Sequence, residues 1–210
     1  MNREILKKSY ELVFLMFICI TILLYFRSTN YGLEDKHVIS LQLSGLVTSI
    51  AAFHYYYMMT TKDSPVSYRY FDWFFTTPIL LIDLCILLDI FESEFVYKIV
   101  GLNTLMLAIG YLGEMNILSM MNSTILGFIP FAIIFYMIYA KMNEKHKDPN
   151  VTDAQVKSNE NLFNVFVTLW SFYGLTHLVP NMDTKNILYN GLDLITKGFF
   201  GLYVYTGTPR

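Results

Sequence analysis

Two stretches of the chain place charged side chains in strongly apolar surroundings. The first reads Arg69-Tyr70-Phe71-Asp72-Trp73-Phe74-Phe75-Thr76-Thr77-Pro78-Ile79-Leu80-Leu81-Ile82-Asp83. At about 100° per residue, Arg69, Asp72, Thr76 and Asp83 fall on nearly one helical face. Asp72 and Asp83 are separated by roughly 16 Å along a helix that rises about 1.5 Å per residue. That is too far for a paired-carboxylate active site, but it suits two stations on one route. Each carboxylate could instead serve only to bond a neighbouring helix. The second stretch supplies Asp193 and Lys197, one helical turn apart. Burial of an amine favours its neutral, nucleophilic form, which can condense with a carbonyl, whereas a carboxylate four residues earlier favours the ammonium. Arg69 and Lys197 balance Asp72 and Asp193. Asp83 is left over, and a carboxyl in apolar surroundings keeps a proton that it can later deliver.

Such charges need a scaffold, and the composition says which kind. Of 210 residues, 54% are apolar and 15% charged, where a soluble domain carries about a quarter charged residues. Mean hydropathy is +0.42. Aromatic residues make up 17%, and several flank apolar stretches as at membrane interfaces. A net charge of -2 leaves no basic footprint for nucleic acid. Cys19 and Cys85 both sit in apolar runs, and two cysteines define neither a disulfide framework nor a metal site. The chain is expected to be an integral membrane protein, and no metal is expected.

A spanning helix needs about 20 mostly apolar residues. By that measure seven segments emerge, at roughly 10–26, 38–59, 68–91, 95–117, 120–141, 161–180 and 186–206. The first lacks the features of a cleaved signal. In the second, Ser40, Ser44, Gly45, Thr48 and Ser49 form a small, hydroxylic side suited to close helix packing. The longest break, Lys141–Glu160, reads as a solvated loop, and residues 1–210 are expected to form one seven-helix domain. An odd number of spans puts the termini on opposite sides. Arg3, Lys7, Lys8, Lys62 and Lys185 fall on the N-terminal side, and Arg27, Lys36, Lys98, Lys141, Lys145, Lys147, Lys157 and Arg210 on the other. That balance modestly favours an extracellular N-terminus and a cytoplasmic C-terminus.

A charge at the centre of a membrane helix costs roughly 2.5–3.5 kcal/mol on insertion scales, so Arg69, Asp72, Asp83, Asp193 and Lys197 are functional candidates by default. Over most of its length the chain resembles the microbial rhodopsins, most closely the proteorhodopsin-like proton pumps. The resemblance runs through GLVTSIAAFHYYYM at 45–58, DSPVSYRYFDWFFTTPILLID at 63–83, GYLGE at 110–114, FYMIY at 135–139, LWSFY at 169–173 and LDLITKGFFGL at 192–202. The pairing of R-x-x-D-W-x-x-T-x-P in the third segment with D-x-x-x-K in the seventh is specific, although either half alone is weak. A Lys/Ile/Asn/Tyr-rich usage is also compatible with the viral rhodopsins.

The resemblance implies an all-α bundle of seven transmembrane helices with all-trans retinal in its core, held by Lys197 as a protonated Schiff base. It implies that Asp72 is the counterion and proton acceptor, Asp193 the second counterion, Asp83 the proton donor and Arg69 the gate. Thr76 would tie Asp72 into the hydrogen-bond network, and His54 would bond the Asp72 carboxylate. Around the chromophore it places Trp73, Thr77, Leu80, Trp170, Tyr173, His177 and Thr196. On spacing alone, the Trp170, Tyr173, His177 face equally suits plain helix packing. Leu80 is similar to the residue of green-absorbing members. Gly174 stands where relatives carry a proline and His177 where they carry a bulky aromatic, which raises the hypothesis that His177 shortens the wavelength or makes the photocycle pH-sensitive. An unchanged spectrum and pH dependence in His177→Phe would dispose of it. Glu114 matches the motif glutamate, without an assigned role.

The function so implied is light-driven outward proton transport and not an enzymatic reaction, in the lipid bilayer and as a pentamer or hexamer by analogy with relatives. A light-gated cation channel is the alternative, left open by Gln42, Asn190 and the serines of the second segment. A photosensor is third, suggested by Thr196. The carboxylate Asp72 and hydroxyl Thr76 argue against sodium or chloride pumping.

Overall fold

The computed structural model describes residues 3–61 and 65–207, and they are almost entirely helical. Lys62 and Arg210, used in the charge balance, lie outside the described residues, as does the side chain of Arg3. The helices are α1 (Arg3–Ser28), α2 (Asp35–Thr60), α3 (Arg69–Leu87), α4 (Ser93–Glu114), α5 (Met120–Lys145), α6 (Asp153–His177), α7 (Met182–Asp193) and α8 (Phe200–Gly207). A π-helical segment, Leu194–Phe199, joins α7 to α8 without a break, so the last three pieces form the seventh rod of the bundle. Successive rods pack side by side and α1 closes against α7 and α8.

Helices α1 to α5 each contain a stretch long and apolar enough to cross a membrane. Many of their large apolar side chains point away from the bundle, among them Leu12, Ile22, Phe26, Phe53, Phe71 and Tyr136. The interior, by contrast, holds Arg69, Asp72, Asp83, Asp193 and Lys197, each no more than 1% exposed. This reverses the arrangement of a soluble domain. The sixth and seventh rods are more polar because α6 starts with the hydrophilic turns Asp153–Glu160 and α7 turns Lys185, Asn186, Asn190 and Asp193 inward.

Helix ends differ from the sequence expectation where capping decides them. The segment expected as a long loop is mostly helix: α5 runs on to Lys145, and α6 begins at Asp153 behind a Thr152/Gln155 capping box. In the short connection, Asp148 accepts from the Asn150 backbone N–H and side chain, which holds its carboxyl below the usual range. α3 stops at Leu87, short of 91, because Asp89 turns the chain at φ 55°. α4 stops at Glu114, short of 117, where Asn116 does the same at φ 57°. Asn181 caps the seventh rod and starts it before residue 186. Of the two cysteines, Cys85 is buried and Cys19 faces outward from α1.

Candidate functional site

The midsection of the bundle is organised around the Lys197 ammonium. Its Nζ bonds Asp72 Oδ2 directly and lies 3.3 Å from Asp193 Oδ1. Asp193 is held from three further sides. Its Oδ2 accepts from the Tyr55 hydroxyl (2.8 Å), and its Oδ1 accepts from the Tyr173 hydroxyl (2.8 Å) and from Trp73 Nε1 (3.3 Å). Arg69 Nη1 donates to Tyr55 (3.0 Å) and Asp193 Oδ2 (3.3 Å). The rest of the guanidinium is occupied by the Asn186 side chain (2.9 Å), the Asn186 carbonyl (3.0 Å) and the Asn190 side chain, and it stacks near the rings of Tyr10, Tyr55 and Tyr189. Two buried cations thus face two buried carboxylates, the pairing that such charges need in a low-dielectric interior.

Asp72 uses only one carboxylate oxygen in this network. Its Oδ1 is buried without a hydrogen-bond partner among the described residues. Two expectations for its surroundings are corrected here. Thr76 Oγ1 donates to the Asp72 main-chain carbonyl (3.0 Å), as helical threonines commonly do, and so reaches the backbone instead of the carboxylate. His54 is buried on α2, but among the described residues its Nε2 has no hydrogen-bond partner, and it makes no bond to Asp72.

Asp83 sits further along α3 in an uncharged setting. Its Oδ1 accepts from Ser40 and its Oδ2 from Ser44 (2.7 Å), both on α2. Thr48, one turn on, accepts from Thr21 of α1 (2.8 Å). The hydroxylic side of the second segment is therefore a set of partners for Asp83 as well as a packing surface.

A mainly apolar cavity lined by Lys197 at one side reaches residues of α4 and α5. Trp73, Thr77, Leu80, Trp170, Tyr173, His177, Thr196 and Lys197 all line it. So do residues that sequence reasoning missed, notably Tyr70, Met106, Gly110, Ser123, Phe128 and Tyr189. Asn103 Nδ2 donates to Thr77 (2.8 Å), and Thr196 contacts the Tyr173 hydroxyl at 2.6 Å. A Cβ on Gly174 would come within 2.6 Å of the Phe128 ring, so the glycine makes room for that ring. Asn186 and Asn190 had a readable signal, since with Asp193 and Lys197 they share one face of the seventh rod. Lys185, counted with the solvent-facing charges, is instead buried against Glu114. Gln42 points outward from α2 and lines no interior path.

Residues 6–208 match the family described as Bacteriorhodopsin-like protein. The chain is 30% identical over 182 residues to the green-light absorbing proteorhodopsin of Gamma-proteobacterium EBAC31A08, a match covering 79% of this chain and 72% of that protein. Among solved structures it is similar to the viral rhodopsin OLPVRII, with 26% identity, a TM-score of 0.83 and 96% of each chain covered. It also shares its fold with the light-driven proton pump rhodopsin of Coccomyxa subellipsoidea, at 19% identity, a TM-score of 0.84 and 96% of each chain. The chain belongs to the bacteriorhodopsin-like family, the microbial rhodopsins, and is an integral membrane protein with the seven-helix architecture of that family.

Proposed function

We propose that the chain is a light-driven outward proton pump that binds all-trans retinal covalently at Lys197. The observation that carries this reading is the position of the Lys197 nitrogen, bonded to a buried carboxylate and lining a mainly apolar cavity. The residues present suit the chromophore: aromatic rings from α3, α6 and α7 wall the cavity, a primary amine opens into it, and Asp72 keeps one buried oxygen free to take a proton. Retinal supplies light absorption and a change of shape on excitation.

The residues of the chain do the rest. Asp193, fixed by Tyr55, Tyr173 and Trp73, keeps its charge beside Lys197 throughout. Asp72, tied only to Lys197, is the group that accepts the proton from the Lys197 nitrogen. Arg69 stands on the far side of that carboxylate pair and repels a proton moving back, so release proceeds toward the α3 N-terminal end. Asp83, on the opposite side of Asp72 along α3, returns a proton to the Lys197 nitrogen. The Arg69 end then faces the outside, the N-terminus is extracellular, the C-terminus is cytoplasmic, and residues 1–210 act as one unit.

The test is the light-induced external pH change of cells expressing the protein with added all-trans retinal. Acidification abolished by a protonophore is the expected result. A coloured protein without acidification sinks the pump. A second reading, a light-gated cation channel, draws on one feature: Asn190 links Arg69 to Ser9 of α1 (2.7 Å) through uncharged polar groups. Photocurrents that reverse sign with voltage would favour it.

A further inference from the structure

A second buried charge cluster closes the α4–α5 side of the cavity. Lys185 Nζ donates to Glu114 Oε1 at 2.9 Å, and His177 Nδ1 lies 3.0 Å from the same oxygen. The other ring nitrogen of His177 is 2.9 Å from Ser123 Oγ. All three ionisable side chains are at most 7% exposed. The cluster draws one residue from each of four helices: Glu114 ends α4, Ser123 opens α5, His177 ends α6 and Lys185 opens α7. Gly113 leaves the space for it, since a Cβ there would lie within 2.8 Å of both Ser123 and His177.

The division of labour within the cluster is the informative point. Ser123 and His177 line the cavity, while Glu114 and Lys185 stand behind them and do not. Resting on the retinal-binding reading above, we propose that the Glu114–Lys185 pair is a colour-setting site: it fixes the electrostatic potential at the cavity end remote from Lys197, with His177 and Ser123 as its contact to the chromophore. A polyene attached at Lys197 would occupy this cavity, whose lining includes both Lys197 and His177. On excitation such a group would shift positive charge away from the Lys197 nitrogen, so a fixed charge near His177 and Ser123 would change the excitation energy with a definite sign. A positive charge raises it and a negative charge lowers it. Neither Glu114 nor Lys185 lines the cavity, so replacing either changes no side chain of the wall itself.

The test compares absorption maxima of the retinal-loaded parent and four variants. Glu114→Gln leaves the positive Lys185 and is expected to shift absorption to shorter wavelength. Lys185→Met leaves the negative Glu114 and is expected to shift it to longer wavelength. Glu114→Asp and Lys185→Arg retain charge and are expected to stay near the parent. Shifts of the same sign in the two charge-removing variants, or equal shifts in the charge-retaining ones, overturn the proposal. In the chromophore-free chain, a thermal double-mutant cycle on Glu114→Gln and Lys185→Met should give a non-additive loss of midpoint, and additivity would remove the pair itself. A parent that forms no pigment at all would instead defeat the retinal-binding reading.

Discussion

Asp72 and Asp83 belong to the same helix, share a face and are both at most 1% exposed, yet their surroundings have nothing in common. Asp72 meets an ammonium and belongs to a four-charge network with Arg69 and Asp193. Asp83 meets two serine hydroxyls and, among the described residues, no cation. A carboxylate held by charges changes its proton occupancy when those charges move; one held by neutral hydroxyls is insulated until the hydroxyls or water rearrange. The difference teaches that depth alone does not define a role: the partners on α2 and the seventh rod give the two halves of α3 different electrostatic settings, and the acceptor and donor roles proposed above rest on that difference.

That comparison can be broken most directly at Lys197. Lys197→Ala should yield no pigment on addition of all-trans retinal, read as absence of visible absorption, and both halves should lose their function together. Asp72→Asn comes next: it should red-shift the pigment and abolish light-driven acidification. It should also destabilise the unloaded protein, by less than the about 3–5 kcal/mol of a fully unpaired buried charge, because Asp193 still faces Lys197. Unimpaired acidification in that variant would erase the acceptor half. Asp83→Asn should keep the colour, because no charge near Lys197 changes, but slow the return of the proton by about 100-fold or more, in the range of lost general acids. Flash spectroscopy with and without external azide reads this, and azide should restore the rate. Smallest are Ser40→Ala and Ser44→Ala, each expected to cost about 1 kcal/mol for a lost hydrogen bond. Thermal melts of the unloaded protein measure that cost. A colour change from either serine would mean the two halves are not separate.

Much of this was legible in the sequence because the decisive residues are those a membrane tolerates least. Arg69, Asp72, Asp83, Asp193 and Lys197 stand out by charge, and helical periodicity alone puts the α3 set on one face. What was not legible depends on which helices meet. Nothing in the spacing of Ser40 and Ser44 says that they reach Asp83, and their small hydroxylic side chains suggest close helix packing or the polar lining of a channel. His54 and Thr76 carry the right chemistry for bonding Asp72, but rotamer and register direct them elsewhere. Lys185 looked like a loop charge because Asn181, whose side chain accepts from Thr184, starts the helix earlier than hydropathy suggests. The turns before Asn161 in α6 were missed for a related reason: they are polar, and their signal is the capping box, not apolar content.

Gly174 has a mechanical consequence. Prolines are the usual cause of sharp helix kinks, and α6 contains none between Asp153 and His177. Its 25 residues form an unbroken shaft about 37 Å long at 1.5 Å per residue. Trp170 and His177 press on the cavity near one end, and the Thr152/Gln155 box clamps the other. With no proline to concentrate bending at one point, a tilt at the cavity wall is expected to be carried along the shaft toward the α5–α6 connection. Phe128 of α5, whose ring fills the space a side chain at position 174 would need, is the neighbour such a tilt would meet.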